Sequence, residues 1–232
     1  MNINLDNIIV LAKKYWKFAA IGLAVLLAVI LLIPKGNTYK TPIKLQAAMM
    51  NAKTADKMLD KTVDMLNGLG QDQVEDIVKI LEKTEDFDST KDMMVLALGS
   101  IRENAGEKYK VKLSPKGKEK MDKESLEIMQ EKIDYLAERY ADAAEQMEEN
   151  ATDVQDELGL SSKDVKKLVK AYKKLAKVLD KAKVTKAYDV EVKTKITGSQ
   201  LDEAMKSETY IRVYKIGGRW VSEQALDALY MF

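Results

Sequence analysis

The 232-residue chain contains no cysteine and no histidine. The first absence excludes disulfides, thiolate nucleophiles and thiolate metal sites, and leaves the redox state of the compartment unmarked. It is compatible with export from a Gram-positive cell. The second removes the commonest general base at neutral pH and the commonest transition-metal ligand. A serine nucleophile would need a lysine base, yet neither Ser-x-x-Lys nor Gly-x-Ser-x-Gly occurs. No glycine-rich phosphate loop is present. Net charge is also nearly absent, with 38 Lys and Arg against 37 Asp and Glu. Residues 1–35 hold four Lys and one Asp, net +3, which leaves 34 basic and 36 acidic side chains beyond them, net −2. That balance gives no electrostatic drive toward nucleic acid. Within 45–232 there is no Pro-, Gly- or Ser-rich linker and no internal repeat. These absences predict a chain with no catalytic residues, no cofactor and no metal site.

Against them stands one long apolar run. Phe18 to Ile33 is sixteen residues without charge, bracketed by Trp16-Lys17 and Pro34-Lys35. A bilayer core needs roughly 20 apolar residues. Tyr15 and Trp16 suit the interfacial belt and Lys17 can snorkel, so residues 15–33 suffice for one transmembrane helix. Pro34 stops it and Lys35-Gly36-Asn37 exits into water. A cleaved signal peptide would carry a shorter apolar region and a small-residue cleavage site, which Pro-Lys-Gly-Asn-Thr-Tyr is not. Lys13, Lys14 and Lys17 before the run favour a cytoplasmic amino terminus. The expected organisation is a cytoplasmic segment 1–14, a transmembrane helix 15–33 in the lipid bilayer, a tether 34–44 and an extracytoplasmic domain 45–232.

The domain reads as α+β. Apolar residues from Ile43 to Leu66 recur at steps of three and four, which predicts a helix ending at Asn67-Gly68. Val74 to Leu81 predicts a second helix, and Ser89 is the expected N-cap of a third, with Met94, Leu96 and Ile101 on its buried side. Tyr109, Val111 and Leu113 alternate with lysines, as in a short strand. Ser114-Pro115 then predicts the start of the longest helix, to about Asn150, with positions 126, 129, 133, 136, 140, 144 and 147 inward. After Gly159, Ser162 is the expected cap of a helix burying Val165, Leu168, Tyr172, Leu175 and Leu179. These two long helices should form an antiparallel hairpin. Tyr188 to Ile196 alternates as a strand. Glu208 to Ile216 is a second, and Gly217-Gly218 turns it into a third beginning Arg219-Trp220-Val221. Ala225 to Phe232 predicts a short apolar tail. The architecture is a helical hairpin packed on a small antiparallel sheet.

The ending Tyr-Ile-Arg-Val-Tyr-Lys-Ile-Gly-Gly-Arg-Trp-Val (210–221) resembles small extracytoplasmic domains of the nuclear transport factor 2-like, or cystatin-like, superfamily. The resemblance covers residues 184–222 and implies that Trp220 packs from a curved sheet onto a helix. That family has a longer sheet and shorter helices, and residues 43–107 and 115–182 depart from it. A fold of this kind does not specify a function.

Two groups of residues are candidate surfaces. Tyr188, Tyr210, Tyr214 and Trp220 fall on the sheet and could line a ligand or partner groove, or pack as core. Lys166, Lys167, Lys170, Lys173, Lys174 and Lys177 form a basic strip that could meet anionic lipid or wall polymer, or pair with the acids of 142–157 across the hairpin. Glu85-Asp86-Phe87-Asp88 offers oxygen ligands, but EF-hand spacing fails at Lys91 and Ala97, so the acids are expected to complement a helix N-terminus. The expected function is a non-catalytic, membrane-anchored binding or scaffolding protein of a bacterial envelope with an envelope protein as partner. The alternatives are a small-molecule or lipid-binding module with a pocket between sheet and helices, and a carboxylate-based envelope hydrolase.

Overall fold

Two antiparallel neighbours flank each inner strand of the sheet, and helices supply every other element. A computed structural model describes residues 38–63 and 69–223. Within them lie helices α1 (Thr41–Met50), α2 (Ala55–Val63), α3 (Gln71–Leu81) and α4 (Glu85–Ala105), then strand β1 (Lys110–Lys120). Helices α5 (Lys123–Glu149), α6 (Ala151–Leu158) and α7 (Ser162–Asp180) follow, then β2 (Val184–Thr197), β3 (Met205–Ile216) and β4 (Arg219–Ser222). The sheet order is β1-β2-β3-β4, antiparallel throughout. The expected α+β class and small antiparallel sheet are therefore observed, and α6 is an element the sequence did not suggest. Among the described residues no helix is long and apolar enough to cross a membrane. Residues 15–33 and the tail 225–232 lie outside them.

The helical hairpin forms as its periodicity predicts. Met129, Ile133, Leu136, Tyr140, Ala144 and Met147 make one buried stripe of α5. Leu168, Leu175 and Leu179 answer from α7. Asp122 caps α5 by accepting the Ser125 N–H at 2.8 Å. At one end of the hairpin the Gln130 amide donates to the Ala182 carbonyl (3.1 Å) and accepts from the Val184 N–H (2.9 Å). Lys173 bonds Glu148 toward the other end. Helix α3 adds Val74, Ile77 and Leu81 to the same core, and the sheet adds Ala187, Tyr214, Ile216 and Val221.

Helix α1 covers the opposite side of the sheet. Ile43, fully buried, meets Val190, Val192, Ile211, Val213 and Trp220 in a second, smaller core. Residues 41–44, read as the end of the tether, are thus the first turn of α1, with Pro42 at its start. Pro is tolerated there because the first N–H groups of a helix lack partners anyway.

Four sequence expectations change. The helix expected over 43–66 is broken at Asn51–Thr54 into α1 and α2. The Asn51 amide explains the break: it donates to the Ala47 and Val111 carbonyls (2.6 and 2.7 Å) and accepts from the Val111 N–H (2.8 Å). One side chain thus ends α1 and closes the free edge of β1 at Val111. Second, Pro115 lies inside β1 and not at a helix start. β1 is an edge strand, where a missing N–H is tolerated, and its register shifts between Pro115 and Gly117. Third, α4 begins at Glu85 with Thr84 as N-cap, five residues before the expected cap Ser89, and α7 is capped by Ser161, whose hydroxyl accepts the Asp164 N–H, not by Ser162. Fourth, Leu96 is 72% exposed, while Met94 and Leu98 face inward.

Candidate functional site

Directly opposed residues of antiparallel strands project to the same side, so register assigns each aromatic to a face. Tyr188 stands opposite Val213, and Trp220 opposite Lys215. Tyr210 stands opposite Glu191 and Tyr214 opposite Ala187. Val213 and Tyr214 are neighbours and point to opposite sides. The four aromatics are therefore not one cluster. Tyr188 and Trp220 share the α1 face; Tyr210 and Tyr214 share the bundle face.

Their environments differ further. Trp220 is buried and stacks on Tyr188 with centroids 5.2 Å apart and planes at 19°. Tyr214 is buried in the main core beside Ile216 and Val221. The space between sheet and helices at this point is filled by these side chains. Tyr210 alone of the four is open, at 67% exposure. Around it the bundle face leaves the helices and carries charge: Lys193 pairs with Glu208 at 3.8 Å, and Arg212 lies 3.9 Å from Asp189 and 3.4 Å from Glu223. Each such surface pair contributes about 0–1 kcal/mol.

The six lysines of the strip are all exposed on α7. The hairpin splits them. Lys173 and Lys177 turn into a groove of about 540 Å³ against Asp134, Glu138, Glu145, Glu148 and Asp180. Lys166, Lys167 and Lys170 border a second depression of about 550 Å³ with Ser162 and Lys163 on the outer side of α7. Lys174 lines neither. Lys83, in the turn after α3, bonds Asp164 of α7 at 2.8 Å, and this bond and the Ser161 hydroxyl hold the Asp164 carboxyl below the usual carboxylate range. Opposite charges thus face across the hairpin, and only part of the strip is left to outside anions. Among the described residues no group of three or more His, Cys, Asp or Glu is arranged to hold a metal ion.

Two residues absent from the sequence reading complete the aromatic group on the α1 face. Tyr39 meets Tyr188 edge to face, with centroids 5.7 Å apart. The Lys118 ammonium lies 4.2 Å from the Tyr39 centroid and 4.0 Å from that of Tyr188. The signal for Tyr39 was its place immediately before the Lys40-Thr41-Pro42 helix start; no signal marks Lys118, because cross-strand neighbours depend on register. No family model, curated protein or solved structure matches the chain.

Proposed function

We propose that the chain is a single-pass membrane protein of a bacterial envelope. Residues 15–33 lie in the bilayer, the amino terminus is cytoplasmic, and the domain stands outside as a non-catalytic binding or scaffolding module. The uncharged run from Phe18 to Ile33 supports the anchor. One observation carries the binding role: Tyr210, 67% exposed, stands beside Arg212 on a strand paired with β2 from Met205 to Ile216. Tyrosine and arginine dominate interface energetics once a partner covers them. A strand fixed in a sheet presents them without the ordering cost of a loop. Lys193, Glu208 and Glu191 around the ring supply a polar rim that sets orientation. The partner is an envelope protein with an apolar socket for the phenol ring and charges that answer this mixed rim.

Protease added to intact cells should remove the domain and leave the amino-terminal segment protected. Full-length product that stays in the supernatant after high-speed centrifugation without detergent would rule out the anchor. Tyr210→Ala should weaken partner capture at least tenfold, on the scale of a hot-spot truncation of about 2 kcal/mol. Capture unchanged by that substitution would rule out this surface.

A further inference from the structure

The first described residues are fastened to the sheet at a corner dense in lysine. Thr38 and Thr41 share a hydroxyl hydrogen bond of 3.2 Å, and Tyr39 leans on Tyr188, which stacks on the buried Trp220. The entry point of the chain is thereby tied through three rings to the smaller core. The Lys118 ammonium sits over the two outer rings, 4.2 and 4.0 Å from their centroids. Register brings more lysine to the same face. Lys120 is opposite Tyr188, Lys186 is opposite Lys215, and Lys215 is opposite Trp220. The cross-strand rows read Lys118–Val190–Ile211, Lys120–Tyr188–Val213–Ser222 and Lys186–Lys215–Trp220, and hold no acid. The acids of these strands, Glu119, Asp189, Glu191 and Glu208, alternate to the other face. Two lysines placed directly opposite each other repel, so the Lys186–Lys215 pair is unfavourable in the isolated domain. Lys40, exposed beside Tyr39, adds a further ammonium at the entry point.

We infer that Lys40, Lys118, Lys120, Lys186 and Lys215 form a docking surface for anionic lipid headgroups, and that the domain lies with its α1 face on the membrane. The inference rests on the anchored reading of residues 15–33. Only residues 34–38 then separate the proposed bilayer segment from Tyr39, a reach of at most roughly 22 Å. Anionic headgroups in the leaflet facing the domain would attract these lysines over about 8 Å at physiological ionic strength. Tyrosine and lysine are also the side chains that settle at a headgroup boundary. Headgroup phosphates relieve the repulsion between Lys186 and Lys215. In this orientation the opposite face, with Tyr210, points away from the lipid and toward a partner.

The test is lysine acylation of the full-length protein, mapped by mass spectrometry, in phosphatidylcholine vesicles and in vesicles that also contain phosphatidylglycerol. The expected result is flotation with both vesicles. Labelling of Lys118, Lys120 and Lys186 should fall several-fold only with the anionic lipid and recover in high salt, while Lys193 and Lys195 stay constant. Lys120→Gln and Lys186→Gln should each weaken that protection by about fivefold without releasing the protein from the vesicles. Flotation with both vesicles but equal labelling overturns the docking and leaves the anchor standing. Flotation with anionic vesicles alone, with the lysines protected, overturns the anchor and supports the lysine surface. Flotation with neither overturns both. Protection by soluble polyphosphate in detergent, with none from anionic vesicles, overturns lipid as the occupant.

Discussion

Trp220 and Tyr210 occupy opposite sides of one sheet, and truncating each should produce opposite phenotypes. Trp220 is 6% exposed, stacks on Tyr188 at 5.2 Å and belongs to the cluster of Ile43, Val190, Val192, Ile211 and Val213. Trp220→Ala removes the indole from that cluster and leaves a cavity under α1. Large-to-small changes of this type cost about 3–5 kcal/mol. For a domain of this size that is a fall in Tm of roughly 6–20 °C. The same change also frees Tyr39 and Tyr188, so the first turn of α1 should lose amide protection along with stability. Tyr210, 67% exposed, has little packing to lose. Tyr210→Ala should stay within about 0.5 kcal/mol of the parent protein. The assay is urea unfolding of the full chain in mild detergent, with hydrogen exchange over residues 38–50. A Trp220→Ala protein within 0.5 kcal/mol of the parent, or a Tyr210→Ala protein destabilised by more than about 2 kcal/mol, would refute the assignment of faces.

Asn51→Ala leaves the Val111 N–H and carbonyl without their amide partner and should cost about 1–3 kcal/mol, with faster exchange of the Val111 amide. Ile133→Ala, at a fully buried site of α5, should cost about 2–5 kcal/mol by the same urea assay. Gly198→Ala would drive a methyl against the Ala105 carbonyl and should lower Tm, because backbone and not a flexible side chain stands in the way. Burial pushes the Tyr140 hydroxyl, and that of Tyr172 against it, far above the ordinary tyrosine range. The native state therefore keeps protons that the unfolded chain releases above about pH 10, so this contribution is intact below pH 10 and lost as pH rises. Stability should fall by up to about 1.4 kcal/mol per pH unit for Tyr140, and by less for the more open Tyr172. Tyrosinate absorbance should show these two titrating only with unfolding; smooth titration in the native state would contradict it.

Much of the fold was legible wherever periodicity is long. The stripe from Met129 to Met147 and its answer from Val165 to Leu179 needed no tertiary information. The Gly217-Gly218 hairpin was equally plain, since both glycines adopt positive φ, 54° and 82°, as a two-residue turn requires. What failed were short signals with two meanings. Ser114-Pro115 is a good helix start, but an edge strand also accepts proline, and only the pairing of β1 with β2 separates the two. Asn51 looks like any polar residue on an amphipathic helix until Val111, 60 positions away, supplies its partner.

The candidate site was less legible for a related reason. Alternation within β3 shows that Tyr210 and Tyr214 share a side, and nothing local says whether Tyr188 or Trp220 joins them. The Tyr188–Val213 and Lys215–Trp220 pairings decide that. The basic strip was visible as spacing, but its partial neutralisation by Glu148 and the other α5 acids needed the hairpin to close.

Under the proposed function, the exposed bundle face around Tyr210 is the partner surface of a membrane-held domain. The decisive measurement is photo-crosslinking in intact cells from an amino acid placed at position 210 of the full-length protein, with a second probe at position 170 on the outer side of α7. One discrete adduct is expected from position 210 and none of that size from position 170. An adduct from position 170 with none from position 210 would contradict it.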